Sequence, residues 1–191
     1  MWFAPFRGDC VSPYTQVVAA TAVIVPIPEA DPLVGGWRRR HTEDGRDGMP
    51  AHVTLLYPFV EEAGFREDHL SRLAAALASF GPAEVRFDRF DRFAGPPVPL
   101  YLVPEPADPF RAMTEAIVLR FPDHPPYEGA FDSVVPHLTV VQTDDEAVLA
   151  EAERDVTYHL PIVALAERVL VMAYDAGRGW QPRWALPLTG S

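Results

Sequence analysis

The sequence predicts an α+β domain, and three observations carry the prediction. Short runs rich in Val, Ile and Thr, bounded by proline or glycine, are interspersed with segments whose apolar residues recur every three or four positions. The elements follow the order strand, helix, strand, helix, strand, strand, helix, strand, helix, strand, strand, which suits sheets covered on their outer faces by helices. No repeat with a period of about 20–50 residues is present, which excludes a solenoid. A chain of 191 residues is long enough for one domain, or for two small lobes sharing a core.

Residues 1–15 show no clear period and read as an irregular leader. Residues 16–27 form the first strand, rich in Val, Ile and Thr. Its apolar run is far shorter than the roughly 20 residues of a membrane span. Pro28 and Glu29 follow it where an export signal would carry small residues, so a buried strand is expected. A short helix is predicted over 32–40 and a loop over 42–50, where Gly45 and Gly48 fall. The second strand covers 52–59. Residues 67–80 form a helix with Leu70, Leu73, Ala74 and Leu77 on one face, ended by Gly81-Pro82. Residues 85–93 and 99–103 are paired strands around Gly95-Pro96-Pro97.

The helix over 109–121 has Asp108 as its expected cap and Phe110, Met113, Ile117 and Phe121 as its buried stripe. A long loop over 122–135 precedes a strand at 137–142, and loops of that length are often functional. Thr143 is the expected cap of the helix over 144–155. Residues 160–174 supply one bent strand or two, and 180–188 the last.

Composition narrows the function. With 48% hydrophobic and 23% charged residues the chain is not disordered throughout. A net charge of −11 disfavours a general nucleic-acid binder that works by neutralising many phosphates. All 16 basic residues are Arg, so no lysine Schiff base or Walker-type lysine exists. The single cysteine, Cys10, cannot form an internal disulfide, and a reducing cytoplasm is the expected compartment.

One tetrapeptide occurs twice. His52-Val53-Thr54-Leu55 returns as His137-Leu138-Thr139-Val140, each on a predicted strand with a proline just upstream. Side chains alternate across a strand, so His and Thr at i and i+2 share a face, about 7 Å apart at about 3.3 Å per residue. Two such strands facing one another would gather two imidazoles and two hydroxyls. Imidazole titrates near neutrality, so one ring can accept a proton while the other donates one. The threonine hydroxyls, Thr54 and Thr139, can hydrogen-bond phosphate oxygens. This set of groups suits phosphodiester cleavage without a metal or cofactor.

At these residues the chain resembles the 2H phosphoesterase superfamily, and within it the bacterial 2′-5′ RNA ligase-like proteins and cyclic phosphodiesterases. Met49 to Phe59 and Val135 to Val140 carry the resemblance, with Leu100-Tyr101-Leu102-Val103-Pro104, Pro125-Pro126-Tyr127 and the C-terminal strand pair in support. It covers about residues 16–188. It implies one bilobal domain over 1–191, with two antiparallel sheets, outer helices, pseudo-two-fold symmetry and a central cleft. It also implies an enzyme that opens 2′,3′-cyclic phosphates or cleaves or joins 2′-5′ RNA linkages. His52 would be the acid toward the leaving oxygen and His137 the base toward water. The expected partner is a small nucleotide or an RNA terminus, with no membrane and no obligate protein partner. The alternative is a protein that binds nucleotides or RNA ends without turnover.

Other residues receive plainer readings. Tyr127 and Phe131, in the long loop, are candidates for stacking on a base. Strict alternation puts Tyr57 on the face opposite His52, hence in the core, and puts Trp180 and Trp184 together on one face. The arginines at 38–40 and at 86, 89 and 92 read as solvated faces. His41, His69, His124 and His159 read as surface or capping residues, and no metal-ligand pattern is present.

Overall fold

Eight strands pair into two four-stranded antiparallel sheets, in a computed structural model that describes residues 20–130 and 134–190. The predicted leader, residues 16–19 of the first predicted strand, and Phe131 lie outside the described residues.

The first strand, β1 (Thr21–Pro26), leads into α1 (Asp31–His41) and a short α2 (Glu43–Arg46). β2 (His52–Leu56) carries the first motif and is followed by α3 (Glu67–Leu77). β3 (Ala83–Arg92) and β4 (Val98–Glu105) form the expected pair. After α4 (Asp108–Arg120) comes β5 (Leu138–Thr143), which continues the second motif from His137. The chain ends with α5 (Glu146–Thr157), β6 (Ile162–Ala166), β7 (Arg168–Asp175) and β8 (Gly179–Pro187).

Strand order is β2-β1-β7-β8 in one sheet and β5-β4-β3-β6 in the other. The two orders are equivalent. Each puts a motif strand at an edge, beside the strand that precedes it across a helical connection. The helices then brace the opposite half: α1 packs on β5 and α4 packs on β2. One hydrophobic core runs through both sheets, with Val53 and Leu55 from one motif and Leu138 and Val140 from the other. The α4 stripe of Phe110, Met113, Ile117 and Phe121 is buried in it as predicted.

Three local readings are corrected. The segment 42–50 is not all loop, because Thr42 caps α2 by accepting the Gly45 N–H at 3.0 Å. Asp108 does not cap α4; the cap position falls on Ala107, and the Asp108 carboxylate accepts from Arg111 at 2.7 Å. Asp145, not Thr143, caps α5 by accepting from the Ala147 N–H at 2.9 Å, so that helix starts two residues later than expected. His69 does cap α3, accepting the Arg66 N–H at 3.0 Å.

Candidate active site

Each motif is shaped by the same two devices. The first is a ring anchor. His52 Nδ1 lies 2.7 Å from the Pro50 carbonyl, and His137 Nδ1 lies 2.7 Å from the Val135 carbonyl. A carbonyl only accepts, so Nδ1 carries the proton in both rings. Nε2 is then the free basic nitrogen of each neutral imidazole. In the first motif Nε2 is 3.1 Å from the Thr54 hydroxyl, which donates to it.

The second device is a β-bulge at the fourth motif position. On β2, Val23 faces Leu56 and Ile24 faces Thr54, so Leu55 is the extra residue. On β5, Leu100 faces Val141 and Tyr101 faces Thr139, so Val140 is extra. A bulge resets the alternation beyond it. Tyr57 therefore returns to the face of His52 and Thr54, where it packs against Ala22, Ile24, Met49 and Met172 and meets Trp180 edge-on at 6.1 Å. The reading of Tyr57 as facing away from His52 is overturned for this reason. Gln142, equally placed after the second motif, is half-buried. A third bulge, at Arg183 on β8, separates the two tryptophans expected on one face: Trp180 joins Tyr57, while Trp184 stacks on Phe65 in the main core at 4.1 Å.

Both motif strands are sheet edges, and they pack against each other where the sheets meet. His52 is buried and His137 half-buried. The rings lie in one electrostatic neighbourhood, since Arg38 and Asp44 act on both and His137 also acts on His52. Phe93 and Tyr101, stacked at 4.2 Å, both pack on the His137 ring in T-shaped fashion, with centroids at 4.9 and 5.3 Å.

Arg38 is the residue that pattern reading missed. Its neighbours Arg39 and Arg40 are exposed as expected, but Arg38 is 1% exposed. It reaches from α1 to donate to the Thr139 carbonyl at 2.6 Å and to the Asp44 carboxylate at 2.6 Å. A signal for it was present: Val34, Trp37 and Arg38 fall on one helical face, which places the first arginine of the run inward. The second arginine group behaves as read, with Arg86, Arg89 and Arg92 in partly exposed ion pairs.

Burial, reinforced by Arg38, lowers the His52 pKa to about 4, against the opposing pull of Asp44 and of the Pro50 carbonyl. Burial also lowers His137, with Arg38 adding to it. Burial alone would raise Asp44, but Arg38, His52 and two hydrogen bonds outweigh it and hold the carboxyl below its ordinary value. Both rings are therefore mostly neutral at pH 7 in the ligand-free cleft.

Tyr127 sits in a tight turn over Pro126–Gly129 with φ of 51°, and its N–H donates to the Tyr57 carbonyl at 2.7 Å. Among the described residues, no group of three or more His, Cys, Asp or Glu side chains is placed to hold a metal ion. No helix among them is long and apolar enough to cross a membrane.

A family model described as the 2′-5′ RNA ligase superfamily matches residues 26–178. Among solved structures, E. coli LigT complexed with 3′-AMP superposes with a TM-score of 0.57 at 16% identity, covering 90% of this chain and 98% of that one. TT0787 of Thermus thermophilus gives 0.58 at 17% identity, covering 90% and 99%. LigT complexed with NADP+ gives 0.55 at 15% identity, covering 91% and 99%. The same α+β architecture is thus shared along nearly the whole chain. No curated protein sequence matches.

Proposed function

The chain belongs to the 2′-5′ RNA ligase superfamily, and from that premise we propose that it is a phosphodiesterase that opens 2′,3′-cyclic phosphates or cleaves or joins 2′-5′ RNA linkages. One observation carries the reading: two His-x-Thr strands, one from each sheet, present equivalently anchored imidazoles to a common charge pair. In opening a cyclic phosphate, His137 takes a proton from water as its oxygen bonds to phosphorus. His52 gives a proton to the 3′ oxygen as the P–O bond breaks. A 2′-phosphate and a free 3′ hydroxyl result, and the rings exchange protons with solvent before the next turnover. Thr54 and Thr139 hold the non-bridging oxygens.

An imidazole held near 4 is a poor proton store in an empty cleft. Bound phosphate supplies the negative charge that raises it, so the acid is loaded by the substrate itself. The acidity of the chain and the nucleotides bound by LigT support a small nucleotide or RNA end as substrate. Tyr127 and Phe131 are the proposed contacts to the base. The chemistry asks for no metal or cofactor, because imidazoles and hydroxyls provide acid, base and anion contacts.

The test is hydrolysis of a panel of 2′,3′-cyclic nucleotides, with and without chelator. Turnover that survives chelator and falls by about 10²–10⁴ in His52→Ala and in His137→Ala is expected. Binding without turnover would replace the enzyme by a nucleotide-binding protein.

A further inference from the structure

We propose that Arg38 is a positioning residue: from α1, in the half that carries the first motif, it clamps the second motif strand through the Thr139 carbonyl while Asp44 holds the other arm of its guanidinium. The proposal deepens the reading of the site as a two-histidine phosphodiesterase. It rests first on geometry. β5 is an edge strand, so its outward carbonyls have no neighbouring strand to bond. Arg38 supplies the missing donor at 2.6 Å, within the motif itself. The other arm of the guanidinium is held at 2.6 Å by Asp44, at the start of α2.

Local sequence makes this possible. A Cβ on Gly45 would lie 2.6 Å from Thr42 Oγ1 and 2.7 Å from the Arg38 carbonyl carbon, so only glycine lets α2 close onto α1 and bring Asp44 to Arg38. Thr42 bonds the same carbonyl, donating to the Arg38 oxygen at 3.0 Å. Arg38 Nε is buried with no hydrogen-bond partner among the described residues, so the side chain keeps this pose at a cost in solvation. At 1% exposure its side chain offers almost no surface to solvent. Its action passes through Thr139 and through its charge.

The charged groups acting on the two rings are Arg38 from α1, Asp44 from α2 and, on His52, His137 from the second motif. Tyr101, which borders His137 from β4, stays neutral across the working range because burial raises its phenol. Arg38 disfavours the protonated form of both rings and Asp44 favours it. Removing Arg38 must therefore raise both rings and removing Asp44 must lower both, a reversal that loss of packing alone would not produce.

The experiment follows the His52 and His137 ring signals by NMR titration of the ligand-free protein, beside kcat–pH profiles on a 2′,3′-cyclic nucleotide. In Arg38→Met both midpoints rise, on the order of one pH unit. In Asp44→Asn both fall, and the limbs of the kcat profile follow. Arg38→Lys keeps the charge and loses the fork, so its midpoints stay while kcat drops at least tenfold. If Arg38→Met does not fold, Asp44→Asn decides: a fall of both midpoints supports the proposal. Unmoved midpoints, or midpoints displaced in the same direction in both variants, overturn it. The titration needs no turnover, so an inactive wild-type protein would refute the proposed reaction while leaving the role of Arg38 to be decided.

Discussion

The two rings take their chemistry from short contacts that the tetrapeptides do not spell out. The His-x-Thr spacing was enough to place the His52 imidazole beside the Thr54 hydroxyl. It could not show the carbonyls of Pro50 and Val135, which fix the proton on Nδ1 and leave Nε2 to the cleft. Nor could it show Arg38, whose inward place is marked by the helical face it shares with Val34 and Trp37 rather than by the motif, and whose partner on β5 lies about 100 residues away. The low proton affinity of His52 has a consequence for folding. The ring titrates near 6.5 in the unfolded chain and near 4 when folded. A group with a lowered folded pKa stabilises the fold above the unfolded value and loses that contribution as pH falls. Between about pH 6.5 and 4, roughly 3 kcal/mol of stability is lost through this one group. Urea unfolding across that window should show the decline, and His52→Gln should flatten it. An equal slope in both proteins would contradict the assignment.

At the scale of elements, strands and helices were readable where their signals are local. Apolar spacing, Gly-Pro stops and β-branched runs located α1, α3, α4, β3 and β4 to within a few residues. Register was not readable. Strict alternation misplaced Tyr57 and Trp180 because a bulge depends on how two strands pair, and neither Leu55 nor Arg183 differs in type from a regular strand residue. With the bulge, Tyr57 shares the face of His52 and Thr54, and Tyr57→Ala is expected to raise KM severalfold with a smaller change in kcat. An unchanged KM would place Tyr57 outside the substrate's reach. The short α2 was hidden by Gly45, which elsewhere marks a loop. Gly45→Ala should force α1 and α2 apart, lowering both Tm and kcat. A variant with wild-type Tm and kcat would show that the close approach is dispensable.

For the molecule as a whole, the doubled motif was a better guide than composition. Two tetrapeptides 85 residues apart implied two equivalent halves, and the sheet orders β2-β1-β7-β8 and β5-β4-β3-β6 have that equivalence. The crossed bracing of α1 on β5 and α4 on β2 was beyond reach, since helix docking is set by faces far apart in the chain. A net charge of −11 argues against long RNA held by many phosphate contacts. Turnover of a cyclic mononucleotide should then vary little between low and physiological salt. A steep fall in log kcat/KM with log salt would point to an extended polyanion instead.

The account turns on two imidazoles, one from each sheet, serving a single phosphate. A crystal structure with a nucleoside 2′-phosphate tests this directly. The account predicts one phosphate with the Nε2 atoms of His52 and His137 both within hydrogen-bonding distance, flanked by the Thr54 and Thr139 hydroxyls. A phosphate bound by one histidine alone, or seated away from both strands, would contradict it.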